Sequence, residues 1–160
     1  MPVSPIPAGY HTVIPYITVR GAVKAIEFYK AAFGAEETMR FSLPDGTVCH
    51  AEIKIGDAHV MLCDEMPDWG NLGPESRGGA TGGLMVYVPD VDKTFARAVA
   101  AGATVFKPVE DQFYGDRSGS VTDPFGHKWT LGTHIEDVSH DEMQRRFQGM
   151  LAAMGGAKAA

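Results

Sequence analysis

The sequence predicts an α+β fold: two successive βαβββ modules followed by a C-terminal helix. Three observations carry that expectation. Each half sets an amphipathic helix after a strand-like run, with 15 positions from Val19 to Gly34 and 14 from Val88 to Gly102. A hairpin tip is echoed: Ile55-Gly56-Asp57 flows into Ala58–Cys63, and Asp123-Pro124-Phe125-Gly126 flows into His127–Thr133. Between the repeats the pattern breaks once, where Pro67, Pro74 and six glycines lie among the polar residues of 65–83.

Val13–Val19, rich in β-branched residues, reads as the first strand. In Ala22–Phe33 the apolar residues Val23, Ile26, Tyr29 and Phe33 follow helical spacing, with Lys24, Glu27 and Lys30 outside the stripe. Gly34 supplies the left-handed residue that ends such a helix. Glu37–Leu43, alternating at Met39, Phe41 and Leu43, turns through Pro44-Asp45-Gly46 into Val48–Ile55, and Gly56-Asp57 turns that strand into Ala58–Cys63. Residues 65–83 form a flexible linker in which Trp69 is expected to dock. The second module runs through Leu84–Val88, an Asp90 cap, a helix marked by Val91, Phe95, Ala98 and Gly102, the strand Ala103–Lys107, a loop over Phe113–Arg117 and the final hairpin. Asp116 and Arg117 are expected to pair within that loop.

Ser139 and Glu142 have capping-box spacing ahead of a stripe of Met143, Phe147, Met150 and Met154. That stripe must bury against this chain or a second copy, and Gly155–Ala160 reads as a frayed tail. The divisions are therefore 1–64, 65–83, 84–134 and 135–160, within one structural domain overall.

Composition bounds the function. With 44% hydrophobic and 21% charged residues among 160, the chain can bury a proper core. A net charge of −6 with dispersed Lys and Arg gives no basic stripe, which excludes a nucleic-acid partner and disfavours an anionic membrane. The opening Met1-Pro2-Val3-Ser4-Pro5-Ile6-Pro7 has no charged run before an apolar core, so no signal peptide is expected, and no run is long enough to cross a bilayer. Cys49 and Cys63 are too few for a disulfide framework, and a reduced cytoplasmic protein is the expectation.

The paired strand-helix-three-strand unit, with Ile26-Glu27-Phe28-Tyr29 in the first helix and Asp123-Pro124-Phe125-Gly126 before the last strand, resembles the vicinal oxygen chelate superfamily. That superfamily holds glyoxalase I, extradiol dioxygenases, epimerases and bleomycin-resistance proteins. Ile14-Pro15-Tyr16, His50-Ala51-Glu52, Gly126-His127-Lys128-Trp129 and Thr133-His134-Ile135-Glu136-Asp137-Val138 resemble its PhnB-like branch. The resemblance, over residues 12 to about 140, implies curled mixed sheets around a shared cavity, often completed in a homodimer. It implies no particular reaction. It also assigns the usual divalent-ion positions to Ile14, Met61, Gly83 and Thr130. None of these is His, Glu or Asp, so no cofactor is expected there, and any divalent ion would sit elsewhere.

If Gly56-Asp57 is a two-residue turn, Ile55 lies opposite Ala58, Glu52 opposite Met61 and His50 opposite Cys63, which puts these last four residues on one strand face. Several readings follow. His50 and Glu52 could act as a catalytic acid-base pair, or could join Cys63 in a relocated ion site. They could equally be a satisfied polar pair, bonded to each other or to Arg40, in an otherwise apolar pocket. By the same alternation Tyr16, Thr18, Met61, Met85, Tyr87 and Thr130 would line a small-molecule pocket, with Tyr114 on a flanking loop. His59 and His127 are expected to be structural, and Cys63 inert. The leading functional reading is a metal-independent pocket for an apolar or aromatic ligand. The alternative is a metal-dependent or His/Glu acid-base lyase, isomerase or dioxygenase.

Overall fold

The predicted repeat is borne out in the computed structural model, which describes residues 4–157 and their side chains as far as Met154. The first module comprises β1 (Tyr16–Val19), α1 (Ala22–Phe33), β2 (Glu36–Ser42), β3 (Val48–Ile55) and β4 (Ala58–Asp64). After α2 (Pro74–Arg77), the second comprises β5 (Gly83–Tyr87), α3 (Val91–Ala100), β6 (Thr104–Asp111), β7 (Asp116–Thr122) and β8 (Lys128–His134), and α4 (His140–Ala157) closes the chain. Two four-stranded sheets result, ordered β1-β4-β3-β2 and β5-β8-β7-β6. Each has one parallel pair, β1 with β4 and β5 with β8, in otherwise antiparallel neighbours. The sheets do not close into one barrel.

Matched polar residues start the two helices. Asp64 accepts the backbone N–H groups of Gly21 (2.9 Å) and Ala22 (2.7 Å) through Oδ1, and that of Val48 (2.8 Å) through Oδ2. Thr133, the equivalent residue on β8, accepts the Val91 N–H at 2.9 Å and donates to the Val88 carbonyl at 2.8 Å. Each satisfies donors that a helix start leaves without intrahelical partners. Asp90 adds the expected cap by accepting from the Lys93 N–H.

The modules interlock through their helices and the last hairpin. Asp123 accepts from the Tyr29 hydroxyl (2.8 Å) and the Trp129 indole (2.9 Å) through Oδ2, and from the backbone N–H groups of Phe125 and His127 (both 2.9 Å) through Oδ1. Burial and this carboxylate push the Tyr29 hydroxyl well above the ordinary phenol range. The Phe125 ring packs against Phe28 and Tyr29. His127 Nε2 donates to the Thr18 carbonyl at 2.9 Å and so ties the last hairpin to β1, where a bond to its own turn is the expectation.

Several expectations are corrected. Val23 is exposed, while Ala22, Ala25, Ile26, Phe28, Tyr29, Ala32 and Phe33 are buried, because α1 is covered by both its own sheet and α3. β1 begins only at Tyr16: Pro15 has no N–H to offer, though its carbonyl accepts from Met61 at 2.9 Å. β6 runs past Pro108, which an edge strand tolerates, with its register broken between Lys107 and Glu110. Residues 65–83 contain a 3₁₀ turn at Pro67–Trp69 as well as α2, and Arg20 ties this stretch to β1 through Glu65, Glu75 and Ser76. Trp69 does not dock; it is 70% exposed.

Asp116 and Arg117 do not pair with each other. Neighbours on a strand point to opposite faces, so Arg117 reaches Asp92 and Asp111 while Asp116 is buried on the other side. Ser139 Oγ accepts the Glu142 N–H at 3.3 Å, but the Glu142 carboxylate pairs with Arg145 and Arg146. In α4, Phe147 packs on Phe113, whereas Met150 and Met154 are exposed. The helix continues through Ala157 instead of fraying at Gly155; the remainder of the expected tail, 158–160, lies outside the described residues. Among the described residues no helix is long and apolar enough to cross a membrane.

Candidate functional site

The β3–β4 register places Ile55 opposite Ala58 and Glu52 opposite Met61, and the parallel β1–β4 register places Tyr16 beside Met61 and Thr18 beside Cys63. Strand alternation turns Ile17, Val19, Val60 and Leu62 toward α1 and sends Tyr16, Thr18, Met61 and Cys63 to the free face of the first sheet. His50 and Glu52 join them there.

A continuous hydrogen-bond chain crosses this face. His50 Nε2 lies 3.1 Å from Glu52 Oε1, and His50 Nδ1 lies 3.0 Å from the Tyr16 hydroxyl. Tyr10, from the segment preceding β1, donates its phenolic proton to Glu52 Oε2. With Tyr16 donating, a neutral His50 that carries its proton on Nε2 satisfies every one of these bonds. Arg40 takes no part: it reaches Glu37, having Ala51 rather than His50 or Glu52 as its strand partner.

Glu52 is only 4% exposed. Burial pushes its carboxyl up, but hydrogen bonds from Tyr10 and His50 outweigh that and hold it below the ordinary carboxylate value. Although half of Tyr16 is exposed, partial desolvation of its hydroxyl, and then neighbouring Cys63, push it up to about 12, so it remains a proton donor near neutrality. Its bond to Glu52 also raises Tyr10. Cys63 is fully buried, with Thr18 Oγ1 at 3.7 Å and Asn71 Nδ2 at 3.8 Å from its sulfur.

Tyr10 does more than donate one bond. Its ring stacks on His59 with centroids 4.3 Å apart and planes 11° from parallel. His59 Nδ1 is buried and has no hydrogen-bond partner among the described residues. Between the arm and the sheet lies a cavity of about 460 Å³, lined by Ile6, Tyr10, Ile14, Glu52 and Met61. Sequence reading missed Tyr10 because nothing in the local pattern links a residue of a Pro-rich arm to a strand more than 40 positions away; the one signal was Gly9, whose φ of +84° sets the bend before it. His59, expected to be structural from its place in the first hairpin, carries the stacked Tyr10 ring, a contact that strand periodicity does not signal.

The remaining candidates lie on the free face of the second sheet. Met85 pairs with Thr130, whose hydroxyl is 2.9 Å from Ser120 Oγ, and Tyr114 lies 3.3 Å from Ser118 Oγ. Tyr87 donates to Asp116 Oδ2 at 2.7 Å, and Asp116 Oδ1 lies 2.8 Å from His134 Nδ1. His134 Nε2 in turn meets Asp137 at 3.0 Å. The two carboxylates, Asp116 first, raise the imidazole above its ordinary value. Neither Asp116 nor His134 is a site candidate from sequence: Asp116 is expected in a loop ion pair with Arg117, and His134 enters only within the family-like stretch Thr133–Val138. The ten candidates thus divide between two sheet faces, six around Glu52 and four near Ser118 and Asp116.

The donor set does not fit a divalent ion at the positions the resemblance assigns. Ile14, Met61 and Gly83 have no hard donor, and the Thr130 hydroxyl is bonded to Ser120. Among the described residues no three His, Cys, Asp or Glu side chains converge as a metal-binding group. What the first face can do chemically is hold a flat ring beside His59, offer the Glu52 carboxylate to a hydroxyl, and shift a proton along Tyr16, His50 and Glu52.

The family model for the Glyoxalase/Bleomycin resistance protein/Dioxygenase superfamily matches residues 10–131. A Mycobacterium bovis protein, Mb0911c, is 44% identical over 133 residues, covering 81% of this chain and 88% of the relative. Among solved structures, TioX from Micromonospora sp. ML1 has a TM-score of 0.61 at 28% identity, covering 78% of this chain and 99% of its own. The PhnB protein from Bacillus cereus shares the fold at 19% identity, with a TM-score of 0.60 over 77% of this chain and 99% of its own.

Proposed function

Since this chain belongs to the Glyoxalase/Bleomycin resistance protein/Dioxygenase superfamily, we propose that it is a metal-independent binding protein for a small aromatic molecule, received on the free face of the first sheet beside Glu52. The observation that carries this reading is Tyr10. A phenol already occupies the site, its ring on His59 and its hydroxyl on a buried carboxylate. An external phenol would take the same two contacts once the arm moved aside, with Met61 and Ile14 as adaptable apolar walls.

The experiment is calorimetry with 4-ethylphenol and ethylbenzene as probes. 4-Ethylphenol should bind saturably and at least tenfold more tightly than ethylbenzene, Tyr10→Phe should tighten it by removing the internal competitor's anchor, and Glu52→Gln should weaken it. Equal binding of the two probes, or none, overturns the reading.

A second reading has its own support. Glu52, held ionised, fixes His50, whose other nitrogen meets a protonated Tyr16. This arrangement suits proton transfer to or from a bound ligand, and turnover abolished by His50→Ala but retained in chelator-treated protein would establish it.

We infer also that two copies pair. Tyr16, Phe41, Met85 and Tyr87 stand exposed on the free faces, and Met150, Leu151 and Met154 on α4. A second copy would cover apolar surface of a kind that monomers rarely leave open. A monomeric mass by light scattering at micromolar concentration would refute this. The unpaired Cys49 and Cys63 suit a reducing, cytoplasmic setting.

A further inference from the structure

The duplication exposes a second cavity, distinct from the one that Glu52 lines although His59 borders it. The offset that relates Tyr16 to Met85 and Met61 to Thr130 also relates Phe28 to Arg97, Tyr29 to Ala98 and Gly56 to Phe125. At the first corner of the seam between modules, the tip residue Phe125 packs against Phe28 and Tyr29 and fills the space beside α1. At the opposite corner the matching tip residue is Gly56, which has no side chain, and the matching helix residues are Arg97 and Ala98. The corner therefore stays open.

What remains is a cavity of about 690 Å³ lined by Phe33, Ile55, Val60, Leu84, Val86 and Trp129, with Arg97 at its border. These strand residues belong to the helix-facing sides of the sheets, the opposite side from Glu52, while His59, Met85 and Tyr87 of the free faces also border the cavity. Arg97 is held in place by an Nε–H bond to the Ala32 carbonyl at 3.0 Å. No carboxylate of the described residues lies within ion-pair distance of its guanidinium, unlike that of Arg20, Arg40, Arg117, Arg145 or Arg146. Asp57, which also borders the cavity, is almost fully exposed and lies 3.8 Å from His11.

We propose that this corner is a binding site for a small amphiphilic carboxylate. Its apolar body replaces the aromatic plug that the other corner receives from Phe125, and its carboxylate pairs with Arg97. An apolar volume of this size suits a ligand of drug-like or fatty-acid dimensions. The guanidinium fork, already oriented by Ala32, offers its remaining N–H donors to two carboxylate oxygens.

The test is calorimetry of the full chain with decanoate and decanol. Decanoate should bind in a one-to-one ratio and at least tenfold more tightly than decanol. Arg97→Gln should bring decanoate to the level of decanol. Leu84→Trp, checked for folding by circular dichroism, should abolish binding of both by filling the corner; Val86→Phe fills the same space and replaces it should Leu84→Trp fail to fold. Glu52→Gln should leave decanoate binding unchanged, which separates this site from the phenol site. Equal affinity for decanoate and decanol, absence of saturable heat, or binding that survives the filled corner would overturn the proposal.

Discussion

In the first module the helix-facing strand residues Ile17, Val19, Ile53, Val60 and Leu62 are all buried, even where Val60 borders the open corner. In the second, Leu84 and Val86 on β5 and Val88 just after it are only partly covered, although Val121, Trp129 and Leu131 are buried. The free faces differ the other way. The first sheet buries one carboxylate, Glu52, whereas the second buries Asp116, Ser118 and Ser120. One plan of strands and helices has thus been finished in two chemistries. At the seam the second module contributes Phe125 and Asp123, and the first contributes Tyr29 and Phe33, which pack on Trp129.

That asymmetry can be broken from its strongest point. Asp123→Ala removes four hydrogen bonds and leaves a buried phenol and a buried indole without their partner; a loss of about 4 kcal/mol in urea unfolding is expected, against almost none for Lys54→Ala on the surface of the first hairpin. Phe125→Ala opens the filled corner and should cost about 2 kcal/mol, less than a fully buried phenylalanine because its ring is only partly covered. The matched caps give a finer comparison: Asp64→Ala, which loses three backbone donors, should cost about 2 kcal/mol, and Thr133→Ala about 1 kcal/mol.

The smallest expected effect is a pair of opposite pH slopes. Glu52 is held below its ordinary value of 4.5, so its contribution is present above that pH and is lost as pH falls through the lower, folded-state value. His134 is raised above 6.5, so its contribution is present below that pH and is lost as pH rises through the higher, folded-state value. Unfolding midpoints of Glu52→Gln should therefore converge on those of the unmodified chain in acid, and midpoints of His134→Gln should converge in mild alkali.

Much of the architecture was legible in the sequence. Helical spacing gave α1 its ends at Ala22 and Phe33, and the Gly56-Asp57 turn gave the register that brings Glu52 to Met61. His50 and Glu52 could be placed on one face because strand alternation is a local rule. What escaped was set by contacts between distant residues. Tyr10 reaches Glu52 from the arm, Asp116 turns inward to Tyr87, and Arg97 lies beside a cavity defined by the absence of a side chain at Gly56. Composition, period and turn chemistry carry no information about such distant pairings. The exposure of Trp69 escaped for a related reason, since apolar character predicts burial only on average.

The two tryptophans give the molecule a natural pair of optical reporters. Trp129 is fully buried, with its indole N–H held by a carboxylate, and should emit toward the blue and resist acrylamide. Trp69, on the surface turn, should emit toward the red and be quenched freely. Selective quenching of one would leave the other to follow events at the seam without any label being attached.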